Sequence, residues 1–107
     1  MKIAIGYPPI ESAKGVPLLS QNRQFQYFNA PTYIYPMVPA SAASNLAAHG
    51  YTVTWLDGIA EKWTYAQWEQ ELRSAAPEML VVEVKCPVMN VMWEIAGTLK
   101  TAFPDML

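Results

Sequence analysis

"KIAIGYPPI", residues 2–10, is the stretch whose reading decides the fold. A short isoleucine-rich run halted by two consecutive prolines has the pattern of a buried strand ending near Tyr7. Prolines lack the N–H donor and stiffen the loop they enter, whereas a phosphate cradle needs glycines with free backbone N–H groups. The exit from this strand therefore suits a broad, flat, largely apolar ligand better than a pyrophosphate. A nucleotide-binding Rossmann half is disfavoured for the same reason, because no glycine-rich turn follows the strand.

Reading outward, residues 8–38 form a long loop with Pro8, Pro9, Pro17, Pro31 and Pro36, and with Phe25, Tyr27, Phe28, Tyr33 and Tyr35 among polar residues. Loops of this length are uncommon in compact domains unless they have a function or are held by a ligand or neighbour. "PMVPASAASNLAAHG" predicts a helix that starts near Pro39 and stops at Gly50, with a small alanine face suited to close packing. "YTVTWLDG" alternates towards an Asp-Gly turn and predicts a second strand. Thr64 stands three residues before Gln67, a capping-box pair, and Tyr65, Trp68 and Leu72 then share one helical face that ends at Pro77. "EMLVVEVK" is the apolar run of a strand covered on both faces in a parallel sheet. A last helical pattern runs from Val88 through Met92, Ile95, Leu99 and Phe103.

This alternation predicts an α/β fold, a partial flavodoxin-like (Rossmann-like) three-layer arrangement with parallel strands in the order 2-1-3. Such folds have five strands when complete, so residues 1–107 are expected to be the N-terminal part of a single domain, truncated before strands 4 and 5. The outer edge of strand 3 is then expected to be covered by self-association, as in a homodimer, or by the long loop.

The chain has 107 residues, 52% hydrophobic, enough for one packed core. Its net charge of -2, a pI near 5.2 and scattered basic residues provide no patch to neutralise a run of phosphates, so nucleic acid is set aside. No apolar run is long enough to span a bilayer and no secretory signal pattern opens the chain; a cytoplasmic location is expected. With one cysteine and one histidine, the chain cannot by itself hold an iron–sulfur cluster, a disulfide or a Cys-rich zinc site. No catalytic residue set can be assembled, and no enzymatic chemistry is expected of the chain alone.

A strand ending in "YPP", a "P-x-x-P-A-S-A-A-x-x-L" helix, "HGYTVTWLD" and "APEMLVVEVK" together span nearly the whole chain. This pattern resembles the N-terminal cobalamin-binding domain of cobalamin-dependent radical SAM proteins, in the branch of the anaerobic magnesium-protoporphyrin monomethyl ester cyclases and related methyltransferases. The resemblance implies that loops at the C-terminal ends of the strands hold the corrin or its nucleotide tail. It also implies a following domain, absent here, with the iron–sulfur cluster and SAM. The loop "PPIESAKG" has no histidine in the place of the D-x-H-x-x-G motif, so cobalamin is expected to bind without a histidine ligand from that loop.

In an open α/β sheet the ligand crevice lies beyond the strand ends at the switch point. Pro8 and Pro9 leave strand 1 there and Lys85, Cys86 and Pro87 leave strand 3, so these residues are expected to surround the crevice. Asp57 reads first as a turn former, and the resemblance adds a loop-ordering role near the crevice. His49 reads as a helix C-terminal cap, Cys86 as a buried thiol, and Trp55, Trp63, Trp68 and Trp93 as core. Glu83, a carboxylate in an apolar strand, requires a partner or an open face. The aromatic loop from Phe25 to Tyr35 is divided between covering the sheet and meeting a ligand or partner domain. The alternative to a cobalamin module is a cofactor-free α/β interaction or dimerisation domain.

Overall fold

The computed structural model describes residues 1–20, 25–30 and 32–107. Pro31 and the centre of the long loop expected over residues 8–38 lie outside the described residues. The elements in order are β1 (Lys2–Tyr7), β2 (Val16–Pro17), β3 (Tyr27–Phe28), α1 (Met37–Ala48), β4 (Thr52–Asp57), α2 (Tyr65–Ala75), β5 (Met79–Val82), a 3₁₀ turn (Cys86–Val88) and α3 (Met89–Ala102).

Strand β1 is central. It pairs in parallel with β4, Lys2 opposite Thr52 through Tyr7 opposite Asp57, and with β5, Ile3 opposite Met79 through Gly6 opposite Val82. The resulting three-stranded sheet has the order β4-β1-β5, which is the 2-1-3 order of a partial flavodoxin-like fold. Side chains alternate across it. Ala4, Leu56 and Leu80 face Trp68 and Leu72 of α2 and Leu99 of α3 in one core cluster. Tyr7 and Trp55, of opposite parity, point to the side where Ala40 and Ala43 of α1 lie. Helices thus flank both faces.

Local chemistry explains α2 best. The Thr64 hydroxyl accepts the Gln67 N–H, the Gln67 side chain accepts the Thr64 N–H, and Ala76 turns into the left-handed region before Pro77 ends the helix. Arg73 lies 4.5 Å from the centre of the Phe103 ring and ties α2 to the end of α3. At Gly6 the backbones of β1 and β4 meet so closely that a Cβ would lie 2.0 Å from the Leu56 carbonyl oxygen.

These contacts correct the expectations for the loop after β1 and for the cover of β5, bear out that for α1, and show what lies on the β5 edge. The loop after β1 is not wholly irregular, since β2 and β3 form a short antiparallel pair within it. Helix α1 begins at Met37 with Pro39 in its first turn, as expected, and lies against β4 and β1 with Ala40, Ala43 and Leu46 half-buried, although none of its residues is fully buried. Strand β5 is not covered on both faces: Val81 is 41% exposed. Among the described residues, Leu107 and not the long loop lies along its outer edge. The Leu107 N–H donates to the Glu78 carbonyl at 3.0 Å and the Leu80 N–H donates to the Leu107 carbonyl at 2.9 Å, a parallel bridge centred on Met79.

Candidate functional site

Tyr7 and Asp57 are the last residues of β1 and β4. Beyond them opens a cavity of about 600 Å³, closed by α1 at Ala40 and Ala43 and by two stretches of the long loop, residues 17–20 and 32–36. Its size is that of a small-molecule site and its position, past the carboxyl ends of parallel strands, is where such folds bind ligands. The walls are mostly apolar and aromatic, with Tyr33, Tyr35 and Trp55 prominent and Asp57 the one charged side chain among the described lining residues.

Asp57 reaches this position because the Asp-Gly turn ends β4. Its Oδ1 accepts the Ile59 N–H at 3.2 Å and the Ala60 N–H at 2.9 Å, the turn-forming role expected of it. Burial raises its pKa, an effect the two N–H donors only partly oppose. Tyr7 is held edge-on to Trp55, ring centres 6.4 Å apart, and its hydroxyl donates to Glu83 Oε2 at 2.6 Å. The Lys85 Nζ donates to Glu83 Oε1 at 2.7 Å. Glu83 therefore has two partners, which answers the question its place in an apolar run raises. Burial foremost, and then the Glu83 carboxylate, keep the Tyr7 phenol protonated far above its ordinary range.

Of the six residues expected at the crevice, Asp57 alone lines the cavity. The Pro8 side chain is fully buried, and Pro9 packs on the β4 exit, where a Cβ on Gly58 would lie 2.7 Å from the Pro9 Cδ. Lys85 is engaged with Glu83, while Cys86 and Pro87 open the 3₁₀ turn on the surface. The β1 and β5 exits are adjacent, as the strand order requires, but the described cavity lies on the β1–β4 side of them. Cys86 is exposed rather than buried, because β5 ends at Val82 and the thiol falls beyond the sheet. His49 caps α1, with Nδ1 2.8 Å from the Asn45 carbonyl.

The tryptophans divide. Trp68 is core, Trp55 lines the cavity, and Trp93 is 70% exposed on α3. The aromatic loop divides in the same way: Phe25 and Tyr27 pack beside Tyr7 and Leu19 and so cover the sheet end, while Tyr33 and Tyr35 line the cavity. Sequence reasoning did not single out Leu18 and Leu19 as wall residues; their signal, two leucines after a proline within an otherwise polar loop, was present. Among the described residues no group of His, Cys, Asp and Glu is placed to hold a metal ion, and no helix is long and apolar enough to cross a membrane. No protein-family model, curated protein or solved structure matches the chain.

Proposed function

We propose that the chain is a cofactor-binding module, the N-terminal part of a cobalamin-binding domain of a radical SAM enzyme, and that it holds its ligand at the C-terminal ends of the parallel strands. The observation that carries this reading is the cavity beyond Tyr7 and Asp57, mostly apolar and walled by aromatic rings. Its lining suits a flat, weakly polar group, and its volume suits part of such a cofactor rather than a whole corrin. With no histidine in the wall, Tyr33, Tyr35 and Trp55 would hold the group by packing rather than by ligation to cobalt. Bound cobalamin supplies a cobalt centre able to carry a methyl group or an electron; the cluster and SAM would come from a further domain.

A titration of the chain with hydroxocobalamin and methylcobalamin, read by visible absorption and followed by gel filtration, tests the proposal. Colour travelling with the protein in a base-off spectrum is expected. Protein that elutes colourless at all ligand concentrations overturns it. The second reading, a cofactor-free interaction or dimerisation domain, is favoured by the exposure of Val81 on β5 and of Met89 and Trp93 on α3. A colourless protein that elutes as a dimer would support that reading.

A further inference from the structure

The Asp57 carboxylate has one oxygen assigned and one not. Oδ1 is occupied by the N–H groups of Ile59 and Ala60, and no described residue donates to Oδ2. Asp57 nevertheless stands in the wall of a cavity whose other prominent residues are Leu18, Tyr33, Ile34, Tyr35 and Trp55. Half-buried and facing the cavity, Oδ2 is left to water until a ligand donor replaces it, and displacing that water without supplying a donor is unfavourable. No arginine, lysine or histidine lines the cavity among the described residues, so none of these supplies a cation to Asp57.

We propose that Oδ2 of Asp57 is the polar recognition point of this cavity, and that the group seated there is a neutral or cationic flat heteroaromatic ring presenting an N–H or O–H donor. The aromatic walls supply the faces for stacking, and the carboxylate reads the ring edge. Anionic groups are excluded by the same carboxylate. The burial that raises the acid's pKa is relieved when a donor arrives, so ligand binding and Asp57 ionisation favour each other. This inference rests on reading the cavity as the ligand site, and it does not depend on cobalamin being the ligand.

The test compares indole with benzofuran, two fused rings of one outline that differ in N–H against ring oxygen. Binding is measured by calorimetry and by saturation-transfer NMR. Indole is expected to bind roughly tenfold or more tightly, the discrimination of one buried charge-assisted hydrogen bond. In Asp57→Asn the side-chain oxygen can keep the turn while the amide NH₂ replaces the second acceptor. Preference for indole is then expected to vanish or reverse, with thermal unfolding verifying that the fold is retained. Equal binding of the two rings to the wild type, binding of neither, or an indole preference unchanged in Asp57→Asn overturns the proposal. Indole selectivity without cobalamin co-elution would sink the cofactor reading alone. Cobalamin binding without ring selectivity would sink this inference alone.

Discussion

Glu83 shows how one residue is made tolerable where it stands. A carboxylate just past an apolar strand is satisfied by the Tyr7 hydroxyl at 2.6 Å and the Lys85 ammonium at 2.7 Å, which also lock the Tyr7 ring against Trp55. Tyr7→Phe removes one donor and leaves Lys85 in place, so a loss of about 1–2 kcal/mol is expected in urea unfolding. A variant as stable as the wild type would mean that water replaces the phenol at no cost. Asp57 makes a pH-dependent prediction. Its folded pKa is raised above the ordinary 3.8, so the fold favours its neutral form. Its stabilising contribution is present below 3.8 and is lost as pH rises through the raised value. A carboxamide cannot ionise, so Asp57→Asn should gain stability relative to the wild type on going from acid to neutral pH. The melting-temperature difference between the two proteins, followed across that range, checks the sign, and a difference independent of pH contradicts it.

Helices α1 and α2 differ in what holds them. Helix α2 has a reciprocal capping box and buries Trp68 and Leu72 completely. Thr64→Ala should cost about 1 kcal/mol, read by chemical denaturation. Helix α1 follows Pro36, which makes no side-chain cap, and buries none of its residues. Its amides should therefore exchange with solvent faster than those of α2, because little apolar contact opposes their local opening. Equal protection of the two helices would show that α1 is anchored by something other than burial. The same contrast explains what could be read in advance. Thr64, Gln67, Trp68 and Leu72 declare α2 within a few residues, and "KIAIGY" with "EMLVVEVK" declares strands by local pattern, so the sheet order was legible. The cavity was not. Its position on the β1–β4 side depends on where residues 17–20 and 32–36 cross the strand ends, a long-range matter with no local periodicity. Pro8 and Lys85, expected around the crevice, follow the β1 and β5 ends but do not line the cavity: burial takes the side chain of one and Glu83 the ammonium of the other.

For the whole molecule, the governing feature is the outer edge of β5. The Leu80 N–H points outward to Leu107, and strand alternation turns the Val81 N–H inward to β1 and the Val82 N–H outward again. An edge of this kind invites pairing with another chain, and β5 itself carries the exposed Val81. The segment leading to Leu107 is tied down by packing of Phe103 and Met106 on the core and by Lys100, whose Nζ donates to the Pro104 carbonyl at 2.6 Å and to the Met106 carbonyl at 3.0 Å. Lys100 is therefore expected to help keep the segment after α3 in the register of a parallel strand. Lys100→Met keeps most of the apolar stem and removes both bonds. The Leu80 amide should then exchange roughly tenfold faster, about the effect of losing 1.4 kcal/mol of local stability, while the inward Val81 amide keeps its protection. If both amides accelerate together, the substitution has loosened the whole sheet and Lys100 is a general stabiliser. If neither changes, the Leu107 bridge holds without the lysine. Acceleration confined to Leu80 would identify the C-terminal segment as an edge guard fastened by one side chain.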